Sequence, residues 1–242
     1  MTPILLEICI DDADGLAAAI EGGADRIELC SALQLGGLTP SPGLIAIAAQ
    51  SSIPVYAMIR PRAGDFVYGA SDLDQMLRDI DAVRAAGLAG VVFGANRLDG
   101  SLDAHALARL SRHSLGLGTT LHRAFDLVPD IDEAVRIAVD IGFERILTSG
   151  RAPTALEGLD DLEKIFAAAD GKITIMPGSG LTAENVNNLR SRLPINEIHA
   201  SCSTAAPVRD ENIVRLGFGD GMPRKTDKNR VAALIDAIRR NA

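Results

Sequence analysis

Apolar residues come in short runs along this chain, and several runs carry a charged or titratable side chain. ILLEICI carries Glu7, RIELC carries Glu28, PVYAMIR ends in Arg60, GTTLHRAFD holds His122 and Arg123, and NEIHAS holds His199. A strand covered on both faces is expected to be almost purely aliphatic, and an unpaired charge there is costly. A series of such residues near strand ends predicts strands that converge on one pocket.

Helical patterns lie between the runs. AAAIEGGADRIELC (17–30), AVRAAGLAGVVFG (82–94) and AVRIAVDIGFERILTSG (134–150) repeat a helix with an apolar stripe, a glycine and a β-rich run. Gly23, Gly87 and Gly142 stand where each helix must end, a position that is usually left-handed. The pattern predicts strands near 4–10, 25–30, 54–60, 88–94, 116–124, 143–149, 172–177 and 195–201. It predicts helices near 12–21, 41–50, 72–86, 103–112, 131–141, 155–169, 182–191 and 226–240. Ser41-Pro42, Ser71-Asp72 and Thr182 mark helix starts.

Eight alternations predict an α/β fold of the (β/α)8 TIM-barrel type, one domain over 1–242. The rival is a doubly wound sheet, which would carry a glycine-rich dinucleotide turn after the first strand. Asp11-Asp12-Ala13-Asp14 stands there instead, hostile to a pyrophosphate, so no nucleotide cofactor is expected. Residues 203–225 are polar and rich in glycine, and are expected to form a long loop over the C-terminal mouth of the barrel.

Composition narrows the partners. With 242 residues, 47% of them hydrophobic, the chain can build a sizeable core. Aromatics make up 3%, there is no Trp, and the net charge is -8, so no nucleic-acid partner is expected. No apolar run approaches the roughly 18 residues of a membrane span, and the first residues do not read as a secretory leader. Cys9, Cys30 and Cys202 are too few for a disulfide framework, which suggests a reducing cytoplasm.

Alternation puts Glu7 with Cys9 on one face of the first strand, Glu28 with Cys30 on one face of the second, and Met58 with Arg60 on the third. Two chemistries compete for this mouth. One is acid/base chemistry on a small anionic or phosphorylated metabolite. Glu7 or Glu28 would then work with His122, near Asp126, while Arg60 and Arg123 hold the anion. Arg62, rigidly displayed beside Pro61, and backbone groups around Ser149, Gly150, Gly178 and Gly180 would add anion contacts. The competing structural reading of Glu7 and Glu28 is an ion pair with Arg60 or Arg123. The other chemistry is metal binding by Cys9, Cys30, Cys202, Met176 and His199. Soft ligands of this kind favour Cu(I), and no zinc-type spacing is present.

Several segments together resemble the CutC family, barrel proteins named for copper homeostasis. They are GGADRIELCSALQLGGLTPS (22–41), MIRPRAGDFVY (58–68), VVFGA (91–95), LHRAFD (121–126), GFERILTSG (142–150), ALEGL (155–159) and IMPGSGLT (175–182), in order along the chain. Ala63 replaces a glycine of the family's RPRGGDF. The resemblance implies a (β/α)8-type barrel, a cytoplasmic location, a homodimer or larger homo-oligomer, and copper as ligand. It also implies Cys30 as a Cu(I) ligand, with Cys9 at a position that is cysteine in some members.

Overall fold

Alternation along the strands sorts the buried residues into two populations. Leu6, Ile8 and Ile10 of β1 (Leu5–Ile10), Ile27 and Leu29 of β2 (Arg26–Leu29), and Val55 and Ala57 of β3 (Val55–Met58) share one aliphatic core with the surrounding helices. Glu7, Cys9, Arg26, Glu28, Tyr56 and Met58 alternate with them and point the other way.

The computed structural model describes residues 3–207, 210–219 and 221–240. The sheet is completed by β4 (Gly90–Phe93), β5 (Gly118–Leu121), β6 (Arg145–Thr148), β7 (Thr174–Pro177) and β8 (Glu197–Ala200). The strand order is β7-β6-β5-β4-β3-β2-β1-β8, and every hydrogen-bonded pair is parallel. The sheet curls into a nearly closed barrel. Around it lie α1 (Ala13–Glu21), α2 (Pro42–Ala48), α3 (Ala70–Ala86), α4 (Ala104–His113), α5 (Ile131–Ile141), α6 (Leu159–Ala169), α7 (Val186–Arg190) and, after a further short helix, α9 (Lys228–Arg239). This is a single-domain (β/α)8 barrel.

Local chemistry sets the boundaries. Ser41 caps α2 through Leu44 N, and Gly87 closes α3 at φ +78°. Three expected helix starts move. The cap of α3 is Gly69, whose N–H donates to Asp72 at 3.2 Å, so Ser71 lies inside the helix. The segment 182–185 is a turn, because the Asn185 side chain binds back to Thr182 N and Gly180 O. Residues 155–158 are also non-helical, since Gly158 presses on the backbone of Ser149 and Gly150 where a side chain has no room.

The expected long loop is more ordered than its composition suggested. It forms an antiparallel pair, β9 (Ser203–Ala205) with β10 (Arg224–Thr226), and a short helix α8 (Asn212–Arg215). Positions 208, 209 and 220 of this segment, and the chain ends 1–2 and 241–242, lie outside the described residues.

The inward residues at the N-terminal end of the barrel form a closed ionic layer. The Arg26 guanidinium donates to both Glu7 and Glu197. Arg145 meets Glu197 at 3.1 Å, Glu144 at 2.9 Å and Thr120 Oγ1 at 3.0 Å. The Tyr56 ring packs against both cations, 5.3 Å from Arg26 and 4.9 Å from Arg145, and its hydroxyl donates to Glu144 at 3.1 Å. Gly90 and Gly118 make this possible, because a Cβ at either would overlap the Tyr56 side chain. Gly118→Ala is therefore expected to cost about 1–3 kcal/mol by overpacking. Urea unfolding of Gly118→Ala, with and without Tyr56→Leu, checks this. The cost should fall when the ring is removed, and additive costs would refute the packing account.

Candidate functional site

Above that layer the strand ends present a different set of groups. His199, at the end of β8, hydrogen-bonds Glu28 of β2 at 2.9 Å, and its Nε2 lies 4.0 Å from Glu7 Oε1. The parallel register places Cys9 opposite Glu28 and Glu7 opposite His199. Donor atoms of Cys9, Glu28 and His199 consequently lie within 4.8 Å of one another. Gly178 makes room for the imidazole, since a Cβ there would sit 3.1 Å from His199 Cβ and 2.7 Å from Leu147 Cδ1. Burial is the largest single influence and works against a charged His199, but the neighbouring Glu28 and then Cys9 together more than offset it. The ring is held well above its ordinary pKa.

Cys30 is two residues beyond Glu28 on the same face. It is fully buried in a small cluster with Tyr56, Met58 and Val92. Burial, reinforced by Glu28, pushes its thiol well above the ordinary range. Cys202 also lies at the mouth, and burial pushes it up to about 12. Met176 is inside the barrel but touches Arg26 in the lower layer, with Sδ 3.3 Å from the guanidinium.

His122 occupies the opposite side of the mouth. Its Nδ1 accepts from Ala124 N at 3.1 Å, which leaves the ring proton on Nε2 in the neutral form. Gly94 leaves the space the ring fills, and Phe66 packs on it with centroids 4.8 Å apart. Burial, and then the Arg60 charge, push its pKa down to about 3. At neutral pH this imidazole is a hydrogen-bond donor and a poor proton acceptor.

The arginines are tethered in different ways. Arg60 is 5% exposed and donates to the carbonyls of Leu35, Gly37 and Gly64 at 2.8–3.0 Å, with Phe66 against its face. Arg123 is held by Asp126 at 2.7 Å and by Ser149 Oγ at 2.7 Å. Asp126 also accepts from Thr148 Oγ1, Ser149 N and Arg151 N, so it staples the loops after β5 and β6 together. Its oxygens bond these groups and not His122. Arg62 is bound to Asp65 and Asp72.

These groups surround a cavity of about 400 Å³. Cys9, Glu28, Arg60, His122, Arg123, Gly180 and His199 line it, while Glu7, Cys30, Arg62, Asp126, Ser149, Gly150 and Gly178 lie behind the wall or beside it. Neither carboxylate pairs with Arg60 or Arg123: Glu7 is bound to Arg26, and Glu28 to His199. Arg224, Arg230, Ser203 and Phe66 line the mouth without having been singled out from sequence.

A model of the CutC family matches residues 4–204. The chain belongs to the CutC family. A CutC-family protein of Sinorhizobium medicae is 60% identical over 241 residues, 98% of either chain. One from Caulobacter vibrioides is 52% identical over 238 residues, 98% of this chain and 97% of that one. A crystal structure from Streptococcus agalactiae, described as a candidate copper homeostasis protein CutC, is 32% identical with a TM-score of 0.78. It covers 82% of this chain and 98% of its own. N-(5'-phosphoribosyl)anthranilate isomerase from Pyrococcus furiosus, 15% identical at a TM-score of 0.58 over 99% and 100% of the two chains, shares the barrel fold alone. The CutC match ends at residue 204, so it includes every strand of the barrel and stops before most of the β9–β10 segment that bears Arg224.

Proposed function

We propose that this protein binds copper at the barrel mouth and serves copper homeostasis in the cytoplasm. The observation that carries this reading is the convergence of Cys9, His199 and Glu28 donors within 4.8 Å of one another on the wall of the cavity. A thiolate with an imidazole is a donor set that suits copper, and the carboxylate supplies charge. Family membership supports the same reading. No helix among the described residues is long and apolar enough to cross a membrane. The homo-oligomer expected of the family belongs to the same proposal.

The two cysteines are not equivalent. Cys9 lines the cavity, whereas Cys30 is fully buried and its thiol resists deprotonation. Cys9 is therefore the main thiolate ligand, and Cys30 contributes after displacement of its apolar neighbours. Anaerobic Cu(I) titration against a chromogenic chelator is expected to show Cys9→Ser weakening binding roughly 10–100-fold, with a smaller loss for Cys30→Ser. Equal affinities in wild type and Cys9→Ser would exclude the site.

A further inference from the structure

Four guanidinium groups, those of Arg60, Arg123, Arg224 and Arg230, line one cavity in a chain whose net charge is -8. Glu28 is the single carboxylate among its described lining residues, and it is already hydrogen-bonded to His199 at 2.9 Å. Asp126 neutralises Arg123 from behind the wall. Among the described residues the other three arginines form no salt bridge with a carboxylate, although Glu184 acts on Arg230 from a greater distance.

Arg60 is the most demanding of them. It is buried, its terminal nitrogens meet neutral carbonyls, and its Nε–H has no partner among the described residues. A desolvated cation held by neutral dipoles is costly compared with one that also meets an anion. Nearby, the neutral His122 leaves a buried Nε2–H unpartnered among the described residues.

Arg224 and Arg230 crowd together at the other side of the mouth. Both donate to the carbonyl of Ser203, at 2.7 and 3.2 Å, and Arg224 also reaches Ser203 Oγ at 2.9 Å. Arg230 sits in the first turn of α9, where the helix dipole is positive and disfavours a cation. Asp227, the nearby acid, caps the helix through Asn229 N and Arg230 N. Two cations meeting at one carbonyl beside a positive helix end form a ready cradle for an anion.

We propose that this cavity binds a small metabolite bearing an oxyanion, with its carboxylate or phosphate group between Arg224 and Arg230 and its body reaching toward Arg60 and His122. A guanidinium fork matches either group, and the hydroxyls of Thr182, Ser201 and Ser203 on the same wall add donors. The site goes beyond the copper reading and uses none of the side chains assigned to the metal, so each stands or falls separately.

The test uses the full chain, freed of metal by chelator, at fixed ionic strength. Inorganic phosphate and malate are titrated separately by calorimetry and followed by thermal melting, with chloride as reference. Saturable binding and a raised Tm are expected with at least one probe, and the probe that binds identifies the group as phosphate or carboxylate. Arg224→Gln/Arg230→Gln should weaken binding roughly 10–100-fold while leaving Cu(I) affinity unchanged. Arg60→Lys, which keeps the charge and loses the fork, reads the buried end separately and should weaken binding of malate, the probe with a second end to reach it. If neither probe exceeds chloride, or if the double variant binds as wild type does, the proposal is overturned.

Discussion

Replacing Arg26 by Met is expected to destabilise the fold by about 3–5 kcal/mol, because it strands buried carboxylates without their cation. Glu7 has no side-chain exposure and Arg26 has 5%, so water does not substitute for the lost partner. Burial by itself disfavours the Arg26 charge, yet Glu7 and Glu197 together more than offset this and push its pKa up. The two acids are not equally dependent on it. Glu197 retains Arg145 at 3.1 Å, whereas Glu7 keeps only the neighbouring His199 at 4.0 Å. Adding Glu7→Leu to Arg26→Met should therefore recover most of the loss. Urea unfolding of the two single variants and the double variant measures this coupling. A penalty below about 1 kcal/mol for Arg26→Met would show that the layer is not a closed ionic unit.

Much of this architecture follows from hydrophobic patterning. Gly23, Gly87 and Gly142 stop their helices at positive φ, and the eight β-rich runs become the eight strands. The side-chain period of two brought Cys9 and Glu28 to the same interior, where register sets them opposite one another. The same period also carried Arg26 beside Glu28 on the inner face, and Arg145 and Glu197 onto the inner faces of β6 and β8. It cannot show how high along a strand each charge sits. Pairing depends on the stagger between strands, and stagger is set by closure of the barrel. Strand-borne charge thus separates into a largely buried lower layer, reaching solvent at Glu144, and an open upper one, a division that composition and spacing do not carry. Arg224 and Arg230 were hidden for another reason. They reach the mouth through the β9–β10 pair and the start of α9, a tertiary placement with no local sequence signal.

The two histidines of the mouth respond to pH in opposite senses, and His122 dominates the acid side. The unfolded chain takes up a proton on this imidazole near pH 6.5, while the folded chain resists until about pH 3. Stability associated with a neutral His122 is therefore full above about pH 6.5 and declines as the pH falls toward about 3. Each pH unit within that window costs about 1.4 kcal/mol, so a fall from pH 7 to 5 removes about 2 kcal/mol. His199 acts in the opposite sense. Its raised pKa supplies stability that is present below about pH 6.5 and lost as the pH rises through its folded value, so it does not imitate the acid loss. His122→Asn isolates the effect: the amide oxygen replaces Nδ1 as acceptor for Ala124 N and cannot titrate. Urea unfolding at pH 7 and pH 5 should show wild type losing about 2 kcal/mol more than His122→Asn. Parallel losses in the two proteins would show that His122 is not held neutral beneath Phe66, and would remove its Nε2–H from the donors offered to an anion in the cavity.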